Sequence, residues 1–416
     1  MAYVDLCRFI PTAGGTTDWV YSSAVGGCQS PSAANVIAGQ TYRVYAVSGD
    51  LTQWEISTGI NSAVTTFPRT TVLKNSSGTG TEPGQSGAGT KINFSTVPQV
   101  SVVAIAEDIS PLLIPQGRLS ATTGVSITTS DVTATTIYYT GGGYVPVYNG
   151  LYFVPQPFTE LSLALDTTNT DTGYHQSGKV FDCFIFVDSS GAQKLGTGPA
   201  WTSSTARGTG SGTTELQTIN GIWTNKNSIV LRFGNVTGNT TTISANLATY
   251  VGSFFTTADG TTKDSKSFRY LWNAYNQQPR PISITDPVNN FTYALAAWAY
   301  FNTSSANSVG ILVGLDGAEV SARANAIAAS NTSSATVGFT GIGLDGALAN
   351  LAFSSYQSFT NAVFSGMFGF YEGFPGIGKH TIDWLMYGNV SPSILFFGTN
   401  TGTLPVSPGL TGTTWG

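Results

Sequence analysis

Apolar residues in this chain recur at every second position in short runs, and Gly, Asn or Pro closes each run. Thr41–Val47 (TYRVYAV) sets the pattern, with Tyr42, Val44 and Ala46 on one face. That period belongs to extended backbone, whose successive side chains point to opposite sides. Nothing along the chain repeats at the 3.6-residue spacing of a long amphipathic helix. Thr, Val and Tyr fill the runs, and 49 glycines help to punctuate them. The expected fold class is therefore all-β: several domains, each an antiparallel β-sandwich or jelly-roll module.

Charge is the second constraint. Asp, Glu, Lys and Arg make up 9% of the 416 residues, against roughly 25% in an ordinary soluble protein. Hydrophobic residues still reach 41%, so the chain has enough apolar surface for real cores rather than disorder. A net charge of −5 and the lack of any basic run argue against nucleic acid as a partner. The longest apolar run, Tyr293–Phe301, falls far short of the roughly 20 residues that span a bilayer, so membrane insertion is not expected. The start, MAYVDLCRFIPTAGG, lacks the charged and apolar regions of a signal peptide. Cys7, Cys28 and Cys183 stand at unrelated spacings and read as free thiols, with a Cys7–Cys28 bridge as the alternative.

Three blocks follow from texture. The first, 1–109, holds candidate strands at Thr41–Val47, Gln53–Ser57, Arg69–Lys74, Lys91–Phe94 and Gln99–Ala106, with a long polar loop at 75–89. The second, 110–282, opens on a proline-flanked linker, Ser110–Gly117. It carries runs at Ser130–Thr140, Tyr144–Tyr148, Glu160–Leu165, Val180–Val187, Ala200–Arg207, Ser228–Phe233 and Tyr250–Phe255. In Val180–Val187, Phe181, Cys183, Ile185 and Val187 face one way. The third block, 283–416, begins with Asn290–Phe301, which is apolar on both sides and so reads as a central strand or one covered by a second subunit. Runs at Val309–Leu315 and Ala318–Ala329 follow. No charge occurs from Ala324 to Leu344 or from Gly346 to Tyr371, the texture of a surface buried in an interface.

Phe268–Ile282 (FRYLWNAYNQQPRPI) joins the second block to the third. It reads as an aromatic strand that ends at Pro279-Arg280-Pro281, where two missing amides should stop a ladder. Trp272 and Tyr275 are then packing residues, and Arg280 should bond backbone carbonyls or an acid across a domain or subunit boundary.

Motifs in all three blocks resemble those of tailed-bacteriophage virion structural proteins of the tail- or head-fibre kind. The first block has Q-T-Y-R-V-Y-A-V (40–47), Q-W-E-I-S-T-G (53–59), R-T-T-V-L-K-N-S-S (69–77) and K-I-N-F-S (91–95). The second has T-S-D-V-T (129–133), I-Y-Y-T (137–140), V-Y-N-G (147–150), E-L-S-L-A-L (160–165), A-W-T (200–202) and W-N-A-Y-N-Q-Q-P-R-P (272–281). The third has P-G-I-G-K-H (375–380) followed by D-W-L (383–385). Ile60 stands where that pattern has a Gly, and Gln277 where it has a basic residue. The resemblance implies a virion component assembled in a host cytoplasm, with other virion proteins as partners. The readings are a homotrimeric tail appendage, a capsid decoration, head-fibre or collar protein, or a spike that binds or cleaves host-surface glycan.

Chemistry-bearing residues are sparse, and no enzyme and no cofactor is expected. The pairs Gly341/Gly343 and Gly376/Gly378 open no helix of a nucleotide-binding unit and read as turns. Asp166 and Asp171 flank a turn that calcium could use, although the spacing fits no cation loop. Glu55, Glu107, Glu160, Glu215, Glu319 and Glu372 form no pair in a defensible motif, and His175 and His380 stand in no zinc or triad constellation. Trp19, Trp201, Trp223 and Trp298 could stack on sugars, core or subunit packing being the alternative for each. The expected subunit-interface residues are Trp298, Tyr300, His380 and Trp384.

Overall fold

Alternation in the sequence becomes alternation in burial. In a computed structural model, Tyr42, Val44 and Ala46 are buried along Thr41–Val47 while Thr41, Arg43 and Tyr45 are half-buried. The structure describes residues 4–81, 85–105, 114–150, 152–351, 353–354, 356–359, 364–399 and 407–416, the side chains of 353 and 356–359 excepted. Expected features at Ala106, Glu107 and Ser110–Leu113, and the 82–84 tip of the polar loop, lie outside the described residues. The chain is all-β, built from mainly antiparallel sheets in which Phe268–Arg269 runs parallel to Ser308–Val313, and divides into two compact units. No helix among the described residues is long and apolar enough to cross a membrane.

The first unit takes in Met1–Leu113 and Asn149–Val154. Its seven-stranded sheet runs in the order Thr66–Phe67, Trp19–Ala24, Arg8–Pro11, Gln99–Val102, Thr41–Val47, Trp54–Ile60, Thr71–Asn75. All of these pairs are antiparallel. Phe9, Trp19, Tyr42, Phe67 and Phe94 fill the core it covers. Lys91–Phe94 is not a strand: only Phe94 bridges, to Gly15, because Glu55 and Arg69 capture the backbone of Ile92.

The second unit takes in Ile114–Tyr148 and Pro155–Gly416, and so contains the whole of the expected third block. Its central strand, Val180–Val187, is buried on both faces. Phe181, Cys183 and Ile185 enter one core with Leu119, Ile137 and Phe254; Val180, Phe184 and Phe186 enter another with Trp201, Tyr250 and Trp272. A third core lies between two sheets. Ala322, Ala324, Ala326 and Ala328 of the strand Val320–Ser330 face Ile382, Trp384 and Met386 of Gly378–Tyr387. Alanine on one side leaves room for large rings on the other, in keeping with close-packed interiors. Phe301 stacks on Trp384 there with ring centres 3.6 Å apart.

Three expected strands of this second unit are also corrected. Asn290–Phe301 is not one strand: Asn290–Tyr293 pairs with Ile394–Phe397, and Trp298–Tyr300 pairs with Gly378–Tyr387 of the other sheet. By changing sheets, the run sends Phe291, Tyr293 and Phe301 into the same core from two sides, while Leu295 between them is 58% exposed. Ser130–Thr140 likewise splits into Val132–Ala134 and Thr136–Thr140 in different sheets. Ala200–Arg207 is a turn closed by a Ser203–Ala206 bridge, and Arg207 is drawn inward to Asp182. The three cysteines are free; burial, with Cys28 adding, pushes the Cys7 thiol up to about 11.

Candidate functional site

The junction Phe268–Ile284 lies wholly within the second unit. Pro279-Arg280-Pro281 does continue a ladder: Pro279–Ile284 pairs antiparallel with Gly409–Trp415 at the edge of its sheet. The register explains why. Gln278 and Gly416 exchange both amide–carbonyl bonds, at 3.1 and 3.2 Å. Alternation then places Pro279 and Pro281 at non-hydrogen-bonded positions, where an edge strand needs no amide.

Arg280 is buried and donates to Asp264 Oδ2 at 2.7 Å and the Thr128 carbonyl at 3.1 Å. Arg269 takes the other carboxylate oxygen at 2.9 Å and the Pro281 carbonyl. Arg118 donates to the carbonyls of Ser126, Asn276 and Gly416. Burial first, and the charge of Arg280 second, lowers the Arg118 pKa to about 10. Three guanidiniums thus gather round one acid, and their donors point at carbonyls of the same unit. Such a cluster ties the edge strand and the C-terminal strand to the body of the unit; its donors are spent internally.

The neighbouring motif residues are equally committed. Trp272 is 1% exposed, and a Cβ on Gly314 would lie 2.2 Å from its ring. Asn273 Oδ1 accepts the Leu119 amide at 2.6 Å, and Asn276 Nδ2 donates to the Pro115 carbonyl at 2.8 Å. Tyr275 Oη accepts the Trp223 amide at 2.8 Å.

The expected interface residues separate into two kinds. Trp384 is fully buried within its own chain and donates Nε1 to Thr340 Oγ1 at 3.0 Å, so it has no surface to offer a partner. His380 is also buried, with Nδ1 2.8 Å from Asp345 Oδ2. Trp298 and Tyr300 are half-buried, and the Trp298 ring meets Tyr387 at 5.4 Å.

The turn read as a calcium candidate already holds a cation. Arg232 lies 2.8 Å from Asp166 and 3.5 Å from Asp171, and also donates to the Thr172 carbonyl. His175 closes the same cluster: Nδ1 accepts the Asp166 amide and Nε2 meets Thr197 Oγ1. Two of the proposed sugar-stacking rings are covered in the same way. Arg69 lies 4.3 Å over Trp19, and Arg207 lies 4.3 Å over Trp201.

Besides a polar cleft of about 390 Å³ lined by Ser204, Thr205, Asp345, Gly346, Lys379 and Thr381, two open features among the described residues bear on the expected site residues. One is a depression of about 610 Å³ lined by Leu216, Trp223, Leu315, Asp316, Ile377 and the edge of Arg207. Glu215 at its rim is held down to about 2 by the Gly210 amide and Lys226. The other is a notch of about 190 Å³ where Glu319 and Glu372 meet beside Ser321, Thr413 and Trp415. The hydrogen bond to Glu372 and its charge raise the Glu319 pKa. Sequence reasoning named both acids but missed the pairing, because only the register of Val320–Ser330 with Ser365–Gly373, which sets Ser321 opposite Glu372, brings Glu372 close to Glu319.

No family model matches the chain, and no curated protein matches it. Among solved structures, a structure of infectious bursal disease virus, Gx strain, is similar at 12% identity, over 73% of this chain and 76% of that one, with a TM-score of 0.19. A Bacillus subtilis family 43 arabinoxylan arabinofuranohydrolase in complex with cellotetraose gives 10% identity, 94% and 95% coverage, and a TM-score of 0.17. An exo-β-1,3-galactanase from Phanerochaete chrysosporium gives 9% identity, 94% and 100% coverage, and a TM-score of 0.11. Likeness at that level carries no argument.

Proposed function

We propose that the chain is a structural component of a bacteriophage virion, a homotrimeric fibre- or spike-like tail appendage whose partners are its own copies and other virion proteins. One observation carries the reading. In W-N-A-Y-N-Q-Q-P-R-P, the string that most resembles virion proteins, Trp272, Asn273, Tyr275, Asn276 and Arg280 each pack or bond within their own unit. A motif spent on holding strands together suits an architectural protein. Labelled cryo-EM of particles tests it: label on the tail is expected, label on the capsid lattice or collar would move the protein to the head or neck, and unlabelled particles would overturn the reading.

Host-surface glycan is a further partner on a second reading, favoured by the depression at Trp223. Its apolar floor of Leu216, Leu315 and Ile377 beside an aromatic ring suits a sugar face, and Asp316 offers hydroxyl contacts. Calorimetric titration of host polysaccharide should show binding that Trp223→Ala abolishes; shortened polysaccharide chains would turn the binding site into a catalytic one.

A further inference from the structure

One seven-stranded sheet of the second unit buries one face and leaves large rings exposed on the other, where Ala329 and Phe397 are buried. Four of its strands run in the order Pro279–Ile284, Gly409–Trp415, Val320–Ser330, Ser365–Gly373. The inward residues Ile282, Leu410, Ala324 and Met367 belong to the third core. The outward ones alternate with them and meet solvent: Trp415 is 41% exposed, Phe368 52% and Phe370 38%. Arg323 and Asn325 lie beside those phenylalanines in register. Three large rings on one sparsely charged sheet face are unusual for a surface left to water.

The charges on this face are also incomplete. Arg323 is exposed and has no partner among the described residues. Glu319 and Glu372, on the same face, line one notch with no cation beside them among the described residues. Glu319 just precedes the strand Val320–Ser330, four residues and about 13 Å from Arg323, and Glu372 lies on the cross-strand diagonal from Arg323, about 7–8 Å away, without pairing to it. A single surface that carries both an unpaired cation and an unpaired acid pair is complementary to itself.

We propose that a second copy of this chain docks on this face, with Arg323 of one copy entering the Glu319–Glu372 notch of the next and Phe368, Phe370 and Trp415 covered between them. The proposal rests on the homo-oligomer reading above and names its surface. The guanidinium would sit between two carboxylates and against the Trp415 ring, a setting that favours Arg over Lys. The rings supply apolar contact, and the charges fix the register.

Sedimentation velocity of the full chain, from nanomolar to micromolar, tests both levels. Wild-type protein should self-associate; Phe370→Asp and Arg323→Glu should each weaken association at least tenfold while the thermal midpoint holds. Glu372→Arg alone should weaken it as well. An equimolar mixture of the Arg323→Glu and Glu372→Arg chains should recover association, because each supplies the charge the other lacks. A mixture that recovers nothing would mean that the charges act within one chain, and the proposal would fall. Variants that assemble like wild type would remove this face from the interface and leave the oligomer reading intact. A monomeric wild-type chain would overturn both.

Discussion

Replacing Arg69 with Met should show how much of the first unit depends on one buried ion pair. Arg69 and Glu55 have no exposed surface. The guanidinium donates Nε to Glu55 at 2.7 Å, Nη2 to its other oxygen, and further bonds to the carbonyls of Gly15, Thr17 and Ile92 at 2.9–3.2 Å. Methionine fills the volume over Trp19 but leaves Glu55 only the Ile92 amide, at 2.8 Å. A buried carboxylate without its cation costs about 3–5 kcal/mol. The expected loss is therefore about 4 kcal/mol at pH 7. Hydrogen exchange of the amides in Thr41–Val47 and Trp54–Ile60 reads it, as a drop in protection of roughly a thousandfold at pH 7. Adding Glu55→Gln should restore part of the protection at pH 7, since no charge is then stranded. A loss below tenfold would refute the reasoning.

Three further outcomes follow from buried groups of the second unit. Burial and the charge of Arg232 lower the His175 pKa from 6.5 to about 3; its contribution is fully present above 6.5 and is lost as pH falls towards 3, by roughly 1.4 kcal/mol per pH unit. Urea midpoints of His175→Gln should lack that part of the acid slope; an unchanged slope would place it elsewhere. Gly314→Ala would set a Cβ 2.2 Å from the Trp272 ring and 2.6 Å from Tyr250 Oη, in a packed core. Overpacking there should cost about 1–3 kcal/mol, and a thermal midpoint equal to wild type would contradict the packing. Asp264→Asn should destabilise more than Arg280→Met, because the first strands Arg269 and Arg280 without an acid whereas the second leaves Asp264 paired to Arg269; urea titrations giving the reverse order would refute it.

Periodicity carried the fold class because burial in a sheet is local. Thr41–Val47 and Val180–Val187 are strands with the bounds that alternation predicts. It failed where a side chain overrode the backbone or where the chain changed sheets. Ala200–Arg207 has strand-like residues, yet Arg207 turns inward to Asp182 and the Gly314 carbonyl, and a turn results. Asn290–Phe301 is apolar on both faces, but the two halves serve one core from two sheets, a distinction that period two does not encode. The prolines at 279 and 281 looked like a stop because the register with Gly409–Trp415, more than 130 residues away, decides which amides a strand needs.

The same argument explains why the scarcity of charge was legible and its placement was not. Composition shows few ionic groups; topology decides that Glu55, Asp166, Asp182 and Asp264 each face an arginine inside a core. Four buried acids paired in this way withdraw charge from the exterior of a chain that has little to begin with. The surface left behind is hydroxyl, amide and aromatic, and among the described residues the open sheet face keeps Arg323 and the Glu319–Glu372 pair as its charges. An exterior so lightly charged discriminates partners poorly by long-range electrostatics. Specificity must then come from shape and from those few charges. Removing Arg323 alone should accordingly change which surfaces adhere, not merely how tightly, and Arg323→Ala should leave residual, polydisperse association through the three rings.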